Sequence, residues 1–305
     1  MKNTILRLLF LLYALFLASS CSTTSRGNAV LQEYPFAENN AEAQHLVFIG
    51  LDGWGSAYVK KADMPTVKRM ILGGASSLDV LCVMPSISWP NWSSLFFGAA
   101  PQQRTGHTEP NAPENIVDNF PSVFSLVKNS NPGKAQSVFF YEWSELYKIC
   151  SSETAETLEI ESNLESTQKI AAYIVEKKPA FTAIVFNQPD STGHSKRWGS
   201  AVYYAKLAEL DSYIAIIEQA VKDAGIYESA VFILSADHGG TFWGHGYNIP
   251  KQRKIPLIIY GPGIKNGFLI PSPLSICDIA PTMAAIMGLK APPEWTGRPL
   301  KEIFK

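Results

Sequence analysis

Short apolar runs and polar breaks alternate along the chain. Residues 45–51, 181–186, 231–234 and 255–260 are predominantly apolar stretches, interrupted only by His45 and Thr182. Runs of this length with almost no polar positions predict strands buried on both faces. Residues 77–83 and 135–141 add two further strands. Between them lie segments with helical signals: 64–72 closed by Gly73-Gly74, a run from Pro90 to about Phe97, 120–129, an amphipathic 164–177, a long 199–224 ended by Gly225, and 275–288, read as a strand edge followed by a helix. Strands alternating with helices predict an α/β fold, a mostly parallel central sheet with helices on both faces. Residues 142–161 are mixed and acidic. Residues 99–119 form a Pro-, Gly-, Asn- and Thr-rich connection longer than most, which marks a functional loop or a lid.

The first residues break this pattern. Lys2 and Arg7 precede an unbroken apolar run of 11 residues from Leu8 to Ala18. Such a run is the core of an export signal and is short for a bilayer span. Ala18-Ser19-Ser20 then lead into Cys21. The segment resembles a bacterial lipoprotein signal, with Ala18 where Leu is more usual. The resemblance implies a signal peptide over 1–20, a mature chain starting at a lipidated Cys21, a polar tether over 21–43 and one domain over 44–305. It places the protein in the bacterial cell envelope, membrane-anchored and facing the periplasm or the cell surface.

The chain has 305 residues, 46% of them hydrophobic, which suits one large domain with a sizeable core. The net charge is −1 and no basic run is present, so no nucleic-acid surface is expected. Beyond Cys21 there are three cysteines, Cys82, Cys150 and Cys277. An odd number excludes a fully paired framework, and Cys82, in an apolar run, reads as a buried thiol.

The chemistry gathers at strand ends. In open α/β sheets the ligand crevice lies at the carboxyl ends of the strands. Asp52 follows the first strand. Asp190 and His194, with Gly193 giving the loop freedom, follow the run 181–186. Asp237 and His238 follow the run 231–234, with His245 close behind. Each piece has a plain structural reading as a polar turn. Together they take three of the chain's five histidines, and six Asp and His donors suffice for two metal ions. His45, at the far end of its strand, reads as structural. The serines Ser86, Ser88, Ser93 and Ser94 cluster where a helix begins at Pro90. Ser88 lies at the helix mouth, where amides and the helix dipole favour an anion, but composition does not choose among the four. Arg104 and His107 read as solvated loop residues.

The order of these groups resembles the alkaline phosphatase superfamily, and within it the type I phosphodiesterase/nucleotide pyrophosphatase family, over residue 46 to about residue 300. The resemblance implies two zinc ions, one held by Asp52, Asp237 and His238, the other by Asp190, His194 and His245. The family's nucleophile segment, P-[TS]-x-[TS]-[FW]-P-N, matches Pro85-Ser86-Ile87-Ser88-Trp89-Pro90-Asn91 and implies Ser88 as both nucleophile and metal contact. Asn111 is the counterpart of an asparagine that donates to a phosphoryl oxygen, although the loop spacing departs from the family pattern. The interval between His238 and His245 is also unusually short. Sulfatases of the same superfamily need [CS]-x-P-x-R, and Trp92 stands at the Arg position. The implied activity is hydrolysis of a small phosphoester, a diester or pyrophosphate before a monoester, with transfer to another acceptor or non-catalytic binding as alternatives.

Overall fold

The computed structural model describes residues 43–105, 120–130, 136–150 and 153–305. The strands are β1 (His45–Leu51), β2 (Ala75–Leu81), β3 (Ser137–Tyr141), β4 (Glu156–Glu159), β5 (Phe181–Phe186), β6 (Ala230–Ser235), β7 (Lys254–Tyr260), β8 (Phe268–Leu269) and β9 (Leu274–Ser275). They form one sheet in the order β4-β3-β5-β1-β6-β7-β2-β8, with β9 also pairing β2. All pairings are parallel except those of β7 with β6 and with β2. The mostly parallel sheet is as the sequence predicts. The short edge strand β4 is not, because Glu156-Thr-Leu-Glu159 carries too little apolar character to read as a strand.

The helices are α1 (Pro65–Gly73), α2 (Ser88–Phe97), α3 (Pro101–Thr105), α4 (Val123–Ser130), α5 (Leu164–Lys177), α6 (Asp190–Lys196), α7 (Ala201–Asp223), α8 (Pro250–Arg253) and α9 (Ile279–Ile286). They pack in two groups: α1, α5 and α6 against α7, and α2 against α4 and α9. The central strands β1, β5 and β6 are buried almost throughout, which accounts for their continuous apolar runs. Under α2, Phe48, Phe96, Phe124, Phe139 and Phe181 form a chain of ring contacts with centroids 5.1–5.5 Å apart. No helix among the described residues is long and apolar enough to cross a membrane.

Register positions the site. Leu51 of β1 pairs with Phe186 of β5, and Gly50 pairs with Ser235 of β6. Three neighbouring strands therefore end together, and the residues that follow them come side by side. His45 lies at the other end of β1, where its Nδ1 is 2.8 Å from the Pro179 carbonyl, a structural role as expected. Cys82, Cys150 and Cys277 are all buried free thiols.

Candidate functional site

Asp52 leaves β1 fully buried and is gripped by α2: the Trp92 indole N–H donates to Oδ2 at 2.8 Å. Asp237 leaves β6 equally buried, and its Oδ1 accepts the Gly53 amide at 3.1 Å. Asp190 and His194 are not in a loop as expected. They lie in α6, one turn apart, which puts both on one helix face. Gly193 accordingly serves close packing rather than loop freedom. A Cβ there would run into the Trp198 indole, which also packs edge-on to His194 with centroids 4.9 Å apart.

The three histidines share one arrangement. Each Nδ1 faces a main-chain carbonyl: Trp243 at 2.8 Å for His194, Gly239 at 3.0 Å for His238 and Ser86 at 2.9 Å for His245. A carbonyl only accepts, so Nδ1 carries the hydrogen in each ring and Nε2 is left with a bare lone pair. The Nε2 atoms point inward. His238 Nε2 is 3.1 Å from Asp237 Oδ2 and 3.6 Å from Asp52 Oδ1, and His245 Nε2 is 3.6 Å from Asp190 Oδ1. His194 Nε2 lies 3.4 Å from Asp190 Oδ2 and 3.0 Å from His245 Nε2.

This donor set fits divalent metal. Two lone pairs at 3.0 Å repel unless a cation lies between or beside them. Asp190 Oδ1 and Asp237 Oδ2 are buried with no hydrogen-bond partner among the described residues, and such atoms are costly unless something positive satisfies them. Donor atoms within 4.8 Å of one another fall into two sets, Asp190/His194/His245 and Asp52/Asp190/His238. The first is the trio expected from the sequence. In the second, Asp190 takes the place expected for Asp237, so Asp190 belongs to both sets and sits between them, with Asp237 beside His238.

The charges reflect the crowding. Burial, followed by the Asp237 charge, raises the pKa of Asp52 well above the carboxylate range. Burial and then Asp52 and Asp237 do the same to Asp190. Asp237 is pushed up to about 7, mainly by burial. His245 is driven down to about 3 by burial and then by His238, and burial also lowers His238. Both rings are thus neutral ligands near neutral pH. Protein alone is a poor host for three ionised carboxylates here, and a divalent ion is the counter-charge the site lacks.

Ser88 opens α2 half-buried. Its Oγ is 3.1 Å from His238 Nε2 and donates to Asp52 Oδ1 at 3.4 Å. The other serines are committed elsewhere. Buried Ser86 donates to the Tyr247 carbonyl, and the Ser93 and Ser94 hydroxyls bond back to carbonyls of Trp89 and Pro90. Asn91 fixes the approach to Ser88 by accepting the Val83 amide and donating to the carbonyls of Val83, Pro85 and Ile87. Asn111 and His107 lie outside the described residues. Arg104, read as a solvated loop residue, is instead largely buried. It lies over the Phe97 ring and donates to Ser93 Oγ at 2.8 Å, and burial lowers its pKa to about 10. Trp92 and Trp198 were not foreseen as site residues, because an indole in a buried segment gives no pattern beyond core packing. Asn91 stood in the recognised motif, and its short polar side chain after a proline was its only signal.

The profile of the type I phosphodiesterase/nucleotide pyrophosphatase family matches residues 46–104 and 111–249, more than half of the chain. The chain belongs to that family. Beside these phosphodiesterases, arylsulfatase K of Danio rerio is 34% identical over 94 residues, 29% of this chain and 18% of that protein. A 2,3-bisphosphoglycerate-independent phosphoglycerate mutase of Methylobacillus flagellatus is 32% identical over 147 residues, 46% of this chain and 26% of the mutase. These matches thus span about a quarter or less of the curated relatives. Murine ectonucleotide pyrophosphatase/phosphodiesterase 5, solved in an inactive form with AMP, shares the fold with a TM-score of 0.70 over 87% of this chain and 100% of that one, at 13% identity.

Proposed function

We propose that this member of the phosphodiesterase family is a metal-dependent phosphoester hydrolase that cleaves diesters through a phosphoseryl intermediate on Ser88. The observation that carries this reading is the placement of the Ser88 hydroxyl. It sits at a helix N-terminus, within 3.4 Å of Asp52 and 3.1 Å of His238, beside two donor sets that share Asp190. Two zinc ions are the proposed occupants, the first held by Asp52, Asp237, His238 and Ser88, the second by Asp190, His194 and His245. When bound, they would supply Lewis acidity for the attacking and leaving oxygens and lower the pKa of the serine.

The remaining steps follow from the chain's own groups. Ser88 Oγ–H has acceptors in Asp52 Oδ1 and His238 Nε2, so its proton points into the donor cluster and a lone pair faces outward. The first turn of α2 has N–H groups without partners inside the helix, and with the helix dipole they draw a phosphoryl oxygen to Ser88. Ser88 Oγ attacks phosphorus, the Oγ–P bond forms as the bond to the leaving alkoxide breaks, and water then hydrolyses the phosphoserine. Asn111 is proposed as a further donor to the phosphoryl oxygen.

A diester is favoured over a monoester because the extra charge of a monoester calls for an Arg or Lys clamp. Arg104 is tied to Ser93, while Lys196 and Arg197 are exposed at the end of α6. The AMP in the murine phosphodiesterase of the same fold is consistent with a diester or pyrophosphate substrate. Sulfatase chemistry is disfavoured, since Trp92 at the Arg position is buried and bonded to Asp52. The decisive experiment pairs metal analysis with rates on nitrophenyl phosphate mono- and diesters. About two zinc per chain with faster diester cleavage is expected. Faster monoester cleavage would move the protein to the phosphatase branch, and absence of both metal and turnover would overturn the reading. We further propose that residues 1–43 export and tether this domain through a lipidated Cys21 in the cell envelope, with no nucleic-acid partner.

A further inference from the structure

The hairpin between His238 and His245 turns at Phe242 and Trp243, where small or polar residues are usual. Their side chains are 69% and 60% exposed. Tyr247 and Ile249, a few residues on, are 71% and 41% exposed. Three of the four exposed aromatic residues among the described residues thus fall within 242–247. Buried Gln252 holds these turns together. It donates to Thr241 Oγ1 at 2.7 Å and to the Gly244 carbonyl at 3.2 Å, and it accepts the Tyr247 amide at 2.7 Å. The apolar groups therefore project from a fixed frame.

The charge around them is one-sided. Residues 191–208 and 238–277 contain no Asp or Glu. Lys206 and Lys254 in these segments pair with Glu209 and Asp79. Exposed Lys196, Arg197 and Lys251 enter no ion pair among the described residues. Arg197 is brought to the hairpin by its neighbour, since the Trp198 N–H bonds to the Phe242 carbonyl at 2.8 Å. Arg197 at φ +75° and Phe242 at φ +54° are two of the three non-glycine residues with positive φ among the described residues. Such conformations are costly for large side chains, and strain that holds a guanidinium and a ring out in water points to a function.

We infer that this face docks on an anionic phospholipid surface, with Phe242, Trp243, Tyr247 and Ile249 entering the boundary between headgroups and acyl chains and the three unpaired cations meeting the lipid charge. Trp and Tyr favour the membrane–water interface, and apolar groups set among cations supply the two attractions that interfacial binding combines. A soluble polyanion would match the cations but leave Phe242 and Ile249 in water. The Trp243 carbonyl also faces His194 Nδ1 at 2.8 Å, so docking sets the donor cluster next to the lipid. The docking does not depend on the hydrolase reading.

The test uses the full chain and vesicles whose acyl chains carry bromine, a short-range quencher of tryptophan. Trp243 is the single exposed tryptophan of the seven, so quenching reports on the hairpin. An N-terminal anchor does not by itself bring bromine there. Vesicles of equal parts phosphatidylcholine and phosphatidylglycerol are expected to quench Trp243 and shift its emission to the blue, and phosphatidylcholine alone far less. Lys196→Gln/Arg197→Asn/Lys251→Gln, asparagine being tolerant of positive φ, is expected to weaken the response to anionic vesicles about a hundredfold. Tyr247→Ser/Ile249→Ser should weaken it by about tenfold or more. Trp243→Phe should remove most of the quenching. Melting temperatures close to wild type show that the variants are folded. No quenching of the wild type by anionic vesicles, quenching that persists in Trp243→Phe, or an undiminished response of the charge variant would overturn the docking. An equal response to phosphatidylcholine alone would overturn it as well. A concentration-dependent dimer in the absence of lipid, lost in the same variants, would assign the face to a second copy and likewise overturn the proposal.

Discussion

Ser88 is one of four serines within nine residues, and its neighbours set it apart. Ser86, Ser93 and Ser94 spend their hydroxyls on carbonyls, whereas Ser88 Oγ looks onto Asp52 and His238. Ser88→Ala is expected to lower turnover by a thousandfold or more, on the order seen when a nucleophile is removed. Bound metal and melting temperature should stay near wild type, so assay, metal analysis and thermal melt together check the role. Trp92 makes a different prediction. Its indole donates to buried Asp52, and Trp92→Phe would leave that carboxylate short of a donor, at a cost of about 1–3 kcal/mol. Urea unfolding and zinc titration should both show the loss, with affinity falling by roughly tenfold as for other groups that orient a ligand.

Among the elements, β1 and α2 are the pair on which the site depends, and their close approach needs Gly50. A Cβ at that position would overlap the Trp92 ring. Gly50→Ala is therefore expected to force α2 from the sheet, destabilise the fold by about 1–3 kcal/mol as overpacking does, and lower kcat because Ser88 rides on the same helix. Urea midpoints and steady-state rates would check it. The sequence made β1, β5 and β6 plain because burial on both faces leaves them almost wholly apolar, Thr182 and Ser235 being the buried exceptions. The donors that follow these strands were legible for the same reason, since a strand end fixes where its next residue lies. Register was not legible: nothing in the runs says that Leu51 meets Phe186. The helix α6 was missed because Asp190-Ser-Thr-Gly-His194 has loop composition, and nothing in those residues signals the close packing of Gly193 and His194 on Trp198. The sharing of Asp190 between two donor sets is a property of three dimensions alone.

For the whole molecule, the site is a concentration of negative charge that folding must hold together. A carboxyl whose folded pKa is raised contributes stability below its unfolded pKa, and that contribution is lost as pH rises through the folded value. Asp237, pushed up to about 7, gives up its share between the ordinary carboxylate range and neutrality, while Asp52 and Asp190, raised to about 8 and about 9, carry the loss on above it. His238 and His245, depressed in the fold, are neutral in both states above their ordinary value of about 6.5, so they drop out of the balance there. Between pH 6.5 and 9 the chelator-treated protein should lose melting temperature steadily. Zinc should restore it, and by more at higher pH, because its ligands must be deprotonated to bind. Scanning calorimetry with chelator or zinc across that range gives the answer. The proposed lipid anchor is tested at the same scale: if it is present, Cys21→Ser should move the protein from the membrane to the soluble fraction, which fractionation and acyl labelling would reveal. One consequence follows from the carbonyls of Ser86, Gly239 and Trp243 that set the three imidazoles. Every residue type has such a carbonyl, so the chain's own genetic variation cannot delete these contacts. A saturation-mutagenesis map of the site should then show intolerance at the six proposed ligands and Ser88, with tolerance at Trp243, whose carbonyl serves while its ring is exposed, whereas Gly239, where a Cβ would meet the Lys251 carbonyl, and buried Ser86 are held by packing. The preparation of the imidazoles would be inherited through backbone shape rather than through side-chain identity.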